Sequence, residues 1–195
     1  MQELLVDFIT SLDGYGGAEG WPGWWGLQGP EYLAWLGEES KLNYTFLMGA
    51  NTYRVMSGIE ATTPDEEASL GELDNAPKVV FSSKLKLPMA WPNTQLIAGD
   101  AVEFVRDMKQ NGSSPMSTIG SISLCRSLLK AGLVDRFRVV MFPVITGKTG
   151  NDWIYDAYPD VALEMINSRV FDGRTQLVEY IPKVLDGPPG ATSGA

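Results

Sequence analysis

Short apolar runs alternate with helix-period segments along almost the whole chain, and that alternation limits the fold more than any other feature. "ELLVDFIT" (3–10), "YTFLMG" (44–49), "KVVFSS" (78–83), a short run at 95–98, "MSTIG" (116–120) and "VDRFRVVMFPVITG" (134–147) read as strands. "PEYLAWLGEE", "ANTYRVM", "DAVEFVRDMKQNG" and residues 121–131 read as helices between them. Pro30 suits a first helical turn, Asp100 a helix cap, and Gly112 a helix stop. Near the end, "ALEMINSRVF" and "TQLVEYIP" flank "DGR", which reads as a hairpin with Asp-Gly at its turn. The order predicts an α/β fold: a mostly parallel central sheet with helices on both faces and a C-terminal antiparallel hairpin.

Two stretches interrupt the pattern. "SLDGYGGAEGWPGWWGLQGP" (11–30) has turn chemistry with large aromatics embedded, so it reads as a loop that packs on something. Residues 57–77 are polar and acidic and read as an exposed connection. Residues 1–183 are expected to form one domain, with 184–195 a low-complexity, flexible tail.

The 195 residues, 44% of them hydrophobic, suffice for a sizeable core. Net charge is −9, from 15 basic and 24 acidic residues, which argues against nucleic acid or an anionic membrane as the main partner. A small anionic ligand needs only local donors and is not excluded. There is no histidine, so His-dependent nucleophilic triads and the commonest metal ligand are both absent, and no metal site is expected. The lone Cys125 cannot form an internal disulfide and fits a reducing, cytoplasmic location. No apolar run reaches the roughly 18 residues of a membrane span, and "MQELLVDFIT" does not look like a signal peptide.

Three strand ends share one design: "FLMGANTY", "VVFSSKL" and "TIGSISL" each run from strand into Gly or Ser and onward. In an open α/β sheet, ligands bind outside the carboxyl ends of the strands, where helix amides attract phosphate. Gly lets a backbone approach closely, and Ser and Thr add hydroxyl donors. Taken singly, each is also ordinary turn chemistry. Residue reasoning alone reaches an α/β protein with a nucleotide as one candidate ligand.

The chain resembles the dihydrofolate-reductase-like superfamily, and most closely proteins similar to the reductase domain of the riboflavin-biosynthesis deaminase–reductase. The matching pieces are "SLDGY", "LMGANTY", "KVVFSSKL", "LIAGDAVEFVRDMK", "IGSISLCRSLLKAGLVDRFRVVMFPVITGKTG" and "SRVFDGRTQLVEYIP", in family order. The resemblance implies an NADPH-dependent reductase that transfers a hydride to a small planar heterocyclic or carbonyl-bearing substrate. It places the pyrophosphate at Gly49, Ala50, Asn51 and Thr52 and at Gly120, Ser121, Ile122, Ser123 and Leu124. Ser82, Ser83 and Lys84 would meet the adenosine 2′-phosphate, and Pro143 to Gly147 would close the nicotinamide-ribose side. Ala50 departs from the basic residue often found after this Gly, a contact that Lys84 or Arg54 could replace. The deaminase half, with its zinc ligands, is absent.

Reduction of C=N or C=O also needs a proton, and a carboxylic acid whose pKa is raised by burial could supply it. Asp13 and Glu31 are the candidates; Asp13 is equally a turn residue before Gly14, and Glu31 a first-turn helix residue. Trp21, Trp24, Trp25 and Trp35 could stack on a planar ring or could seal the loop against the core, and Tyr32 competes with Glu31 for one slot. Trp21, Trp25 and Tyr32 are the substrate-wall candidates. The alternative to an enzyme is a non-catalytic NADPH- or flavin-binding protein. A homodimer is also expected to be possible, with "SLLKAGLVDRFRVVMF" as its candidate interface.

Overall fold

A computed structural model describes residues 1–20, 23–59 and 71–190. Ten strands and four labelled helices follow one another: β1 (Leu4–Ser11), β2 (Tyr15–Ala18), α1 (Pro30–Glu39), β3 (Thr45–Gly49), α2 (Ala50–Met56), β4 (Lys78–Phe81), β5 (Thr94–Ile97), α3 (Ala101–Asn111), β6 (Met116–Thr118), α4 (Ile122–Lys130), β7 (Arg136–Phe142), β8 (Gly150–Trp153), β9 (Val161–Phe171) and β10 (Thr175–Val184). Eight strands form one sheet in the order β5-β4-β3-β6-β1-β7-β10-β9. The first six run parallel; β10 is antiparallel to both β7 and β9. The expected α/β architecture is therefore present, hairpin included. No helix among the described residues is long and apolar enough to cross a membrane.

Alternation along the central strands divides the core into two layers. Leu4, Val6 and Phe8 of β1 and Phe137 and Val139 of β7 pack with Val105 of α3 and Leu124, Cys125, Leu128 and Leu129 of α4. Ile9, Val140 and Phe142 point to the other face, where Tyr32, Trp35 and Leu36 of α1 cover them. Phe46, Met48 and Val80 continue that face under Tyr53 of α2 and Trp91. Each fully buried aliphatic or aromatic side chain of this kind contributes about 1.5–3 kcal/mol relative to exposure. The stretch 127–142 is thereby committed to the interior: α4 buries its apolar stripe and β7 lies between β1 and β10.

Helix boundaries follow the capping chemistry. The Asp100 carboxylate accepts hydrogen bonds from the amides of Val102 and Glu103 and starts α3. Helix α1 is capped from a distance: Asp172, in the β9–β10 turn, accepts from the amides of Glu31 (3.0 Å) and Tyr32 (3.2 Å). Glu31 returns the contact by accepting from the Asp172 amide at 2.6 Å. A side chain at Gly29 would place its Cβ 2.2 Å from the Asp172 carboxyl carbon. Gly29→Ala therefore pushes the cap away and lowers stability by about 1–2 kcal/mol, as a urea titration will read.

Three differences from the sequence reading have physical causes. The last parallel strand stops at Phe142 rather than 147, because Pro143 offers no amide and the chain turns out of the sheet. The third strand stops at Phe81, because Ser82 Oγ accepts from the amides of Lys84 and Leu85 and closes a turn. The Gly/Trp-rich loop contains a strand, β2, which pairs with β8 as a separate two-stranded ribbon. Neither "YGGA" nor "GNDW" has an apolar alternation to announce it. At the other end, β10 reaches Val184, one residue into the segment read as tail, and residues 191–195 lie outside the described part.

Candidate functional site

A cleft of about 1430 Å³ opens along the carboxyl ends of the parallel strands and runs between α1 and α2. Its upper wall is two strand-to-helix junctions. Gly49 ends β3 and leads into α2; Gly120 and Ser121 lead from β6 into α4. Gly120 (φ +52°) and Ser121 (φ +65°) are both left-handed, which turns the chain sharply into α4, whose first residues Ile122 and Ser123 line the cleft. Ser121 Oγ accepts from the Gly49 amide at 2.6 Å and lies 2.7 Å from Thr52 Oγ1, so the two junctions are locked together. A Cβ at Gly49 would sit 3.1 Å from Ser121 Oγ, a tight approach that Ser121 would have to relax by a few tenths of an ångström.

Neither α2 nor α4 is capped by its own N-cap side chain. The first amides of a helix carry partial positive charge and no intrahelical acceptor. Arg54, Lys84 and Arg126 line the same cleft. Arg54 donates to Asn51 Oδ1 at 3.1 Å, and Arg126 donates to the carbonyl and the carboxylate of Asp156, each at 3.1 Å. Two open helix starts and three cationic side chains, one of them paired with Asp156, thus lie together at this end of the cleft.

The floor is different in character. Asp7 of β1 stands beside Arg138 of β7 in register, and both point to the α1 face. Arg138 donates from Nε to Asp7 Oδ1 (2.9 Å) and from Nη2 to Asp7 Oδ2 (2.7 Å), a bidentate pair. A third bond runs from Nη1 to Glu39 Oε2 of α1 at 2.5 Å. The guanidinium lies 4.9 Å from the Trp35 ring centroid. Burial alone would lower the Arg138 pKa, but the carboxylates of Asp7 and Glu39 outweigh it and raise the value above the ordinary one. All three charged residues line the cleft.

The β2–β8 ribbon borders the cleft on a further side. Gly16, Gly17 and Ala18 present backbone, and Trp153, which is 46% exposed, presents an indole. Trp153 packs edge-on against Tyr155 with ring centroids 5.9 Å apart.

Of the residues singled out from the sequence, the cleft gathers Gly49, Ala50, Asn51, Thr52, Lys84, Gly120, Ser121, Ile122 and Ser123. The others lie elsewhere. Leu124 points into the core. Ser82 is taken up by its own turn, and Ser83 is exposed outside the cleft lining. Pro143 and Gly147 are exposed on the segment after β7. Trp25 packs on Phe142 at 6.0 Å, and Tyr32 is fully buried between Phe142 (5.3 Å) and Phe171 (5.9 Å). Trp24 and Trp35 join the same aromatic cluster; Trp21 lies outside the described residues. Asp7, Glu39, Arg126, Arg138 and Trp153 were not singled out by sequence reasoning. The alternation of β1 and β7 held the only signal for Asp7 and Arg138: a charged residue at an otherwise apolar strand position.

Neither candidate acid lines the cleft. Glu31 is engaged with the Asp172 amide. Asp13 accepts from Ser11 Oγ (2.6 Å) and from the amides of Gly147 (2.8 Å) and Thr146 (3.2 Å). The Ser11 hydroxyl and then these amides hold its pKa at about 2, below the ordinary 3.8, despite an opposing effect of burial. The shift is opposite to the one a neutral-pH proton donor requires. Burial pushes the Tyr32 phenol well above its usual value, so it holds its proton. Because the folded Asp13 pKa lies below the unfolded one, its stabilising contribution is complete above about pH 4 and is lost as pH falls through 2. Asp13→Asn is expected to lose less stability than the wild type between pH 4 and pH 2 in paired urea titrations.

Known proteins share this fold. The family model for the RibD C-terminal domain matches residues 2–177. Uncharacterized protein YyaP of Bacillus subtilis is 26% identical over 184 residues, covering 92% of this chain and 94% of that protein. The diaminohydroxyphosphoribosylaminopyrimidine deaminase/5-amino-6-(5-phosphoribosylamino)uracil reductase of Thermotoga maritima superposes with a TM-score of 0.64 at 17% identity, over 93% of this chain and 57% of that longer one. Dihydrofolate reductase from Enterococcus faecalis, solved with NADP(H), gives a TM-score of 0.62 at 14% identity, over 92% of this chain and 96% of that one.

Proposed function

The chain belongs to the family of RibD C-terminal domains, and on that premise we propose that it is an NADPH-dependent reductase acting on a small planar heterocycle. The observation that carries the reading is the joining of two uncapped helix starts with Arg54, Lys84 and Arg126 along one sheet end. The residues fit a dinucleotide. The Gly49–Thr52 and Gly120–Ser123 turns would hold the pyrophosphate, with Lys84 and Arg54 as the cations available to a 2′-phosphate. Bound there, the cofactor supplies a hydride; everything else falls to the chain.

Asp7 and Glu39 offer acceptors on the floor. Each carboxylate oxygen bonded to Arg138 keeps a second lone pair, suited to an N–H edge of a pyrimidine, pterin or related ring. Arg138 fixes both carboxylates so that little ordering remains when substrate binds. Trp153 offers an indole at the rim on which a planar ring could stack. The RibD family and the reductase named for the Thermotoga relative favour a riboflavin-precursor type of substrate over a simple carbonyl.

One observation favours a second reading, a protein that binds the cofactor without turnover: Asp13 and Glu31 are both engaged outside the cleft. The readings separate experimentally. For both, NADPH raises the melting temperature more than NADH at equal concentration. For the enzyme, absorbance at the NADPH maximum also falls when a pyrimidine or pterin acceptor is added. Binding without oxidation across such acceptors supports the second reading, and absence of any thermal shift with NADPH overturns both.

A further inference from the structure

The charged side chains that line the cleft differ from one end to the other. Four cations line it among the described residues: Arg54, Lys84, Arg126 and Arg138. Residues 21–22, 60–70 and 191–195 contain no lysine or arginine, so the rest of the sequence adds none. Arg54 and Arg126 belong to the two helices whose starts open on the cleft, and Arg126 is already paired with Asp156. On the reductase reading, on which this inference rests, these two and Lys84 serve the cofactor. Arg138 alone remains to meet a substrate.

Arg138 is already committed. Its Nε, Nη1 and Nη2 donate to Asp7 and Glu39, it is 6% exposed, and its guanidinium lies 4.9 Å from the Trp35 ring centroid. Two carboxylates around one guanidinium leave the floor with one excess negative charge. Glu39 Oε1 carries no hydrogen bond among the described residues, and each Asp7 oxygen keeps a second lone pair. Ile9, on the same strand face as Asp7, and Leu36 of α1 add apolar lining. A phosphate placed at this floor would meet like charge without a partner. An amidinium edge, a ring N–H beside an exocyclic NH2, meets a carboxylate with two parallel charge-assisted bonds.

We propose that the substrate of this cleft is a planar ring that carries a positive charge and no phosphate, seated by its N–H edge on Glu39 and Asp7. This narrows the riboflavin-precursor type of ring to members without the phosphoribosyl group that the name of the Thermotoga enzyme contains. Opposite charge at the two ends also keeps the ligands from exchanging places, because the anionic tail of a dinucleotide is repelled where the cation is held. The ionisable neighbours of the two carboxylates hold their charge around neutral pH. The chain has no histidine. Arg138 is kept protonated by the carboxylates against the effect of burial, and burial raises the phenols of Tyr32 and Tyr44. Burial also pushes the Cys125 thiol, on the far side of the sheet, up to about 12. A pH step across neutrality therefore titrates a weakly basic ligand rather than these groups.

The test is a chemical-shift titration of the full chain, with and without saturating NADPH. The Trp35 indole, which packs on Arg138, reports the site. The cationic probe is 2-aminopyridine, a planar base whose own pKa is near neutral. It is expected to bind roughly tenfold or more tightly below that pKa than above it. Glu39→Gln and Asp7→Asn, each checked by circular dichroism, bring the two conditions to within about threefold of each other. Uridine and uridine 5′-monophosphate differ only in the phosphate, and with NADPH in place the phosphate brings no gain in affinity. Equal binding of 2-aminopyridine on both sides of its pKa, or none at either, overturns the proposal. So does a gain from the phosphate, and so does a pH step that survives in both variants, which places the cation elsewhere. Failure of NADPH to bind overturns the reductase reading instead, while the pH step in the free protein still decides the charge that the floor accepts.

Discussion

Replacing Arg138 with methionine lowers the unfolding free energy by about 3–5 kcal/mol, the largest loss expected of any single exposed-to-cleft residue in this protein. Arg138 is 6% exposed and is the only cation bonded to Asp7 and Glu39 among the described residues. Methionine fills similar volume, so packing against Trp35 largely survives while the charge does not. Two carboxylates that are each only about a quarter exposed then face one another without compensation. Removing one member of a paired set costs more than the set contributes, because the desolvation of the survivors is no longer offset. The same logic predicts partial recovery: Asp7→Asn in the Arg138→Met background regains about 1–3 kcal/mol, since one orphaned charge disappears. Guanidinium titrations with unchanged slope would measure both steps. A loss under about 1 kcal/mol would mean the triad is solvated like an ordinary surface pair.

The triad also marks where sequence reading stops. The sheet, its parallel sense and the hairpin were legible because apolar periodicity is a local property: β1, β7 and α4 each declare their faces within a few residues. The junctions at Gly49 and Gly120 were legible for the same reason, since a strand meets a helix there within one turn. The floor was not. Asp7 and Arg138 are 131 positions apart, and nothing in either segment says that register sets them side by side. Trp153 sits in a four-residue strand whose ladder among the described residues is to β2 alone, so it carries no periodic signal of its own. The Trp cluster at 24–35 misdirects for a physical reason. Large aromatics near Gly and Pro suit a ligand wall or a loop anchor equally, and here Phe142 and Phe171 receive them. Asp13 shows the limit of guessing a pKa from composition. The Ser11 hydroxyl two positions away lowers it most, and the amides of Gly147 and Thr146, more than 130 positions away, lower it further.

Ser123→Asp is expected to separate folding from cofactor binding at the helix start. Ser123 is the second residue of α4, exposed, and lines the cleft where the first amides of the helix open. An aspartate there interacts favourably with the positive end of the helix, worth about 0.3–1 kcal/mol, so stability should hold or rise slightly. The same carboxylate stands where an incoming phosphate would go. Two anions competing for one set of amides should weaken NADPH by roughly tenfold or more at low salt, about 1.4 kcal/mol, with the penalty shrinking as ionic strength screens it. Ser123→Asn, of nearly the same shape but neutral, should leave binding within about threefold of wild type. Fluorescence titration of NADPH at two salt concentrations, beside a thermal melt of each protein, reads both quantities. The opposite pattern, with stability falling and affinity unchanged, would place the phosphates away from α4 and leave Arg54 and Lys84 as the anchors. Because the helix-end amides cannot be mutated away, a charge placed among them is the most direct way to ask what they bind.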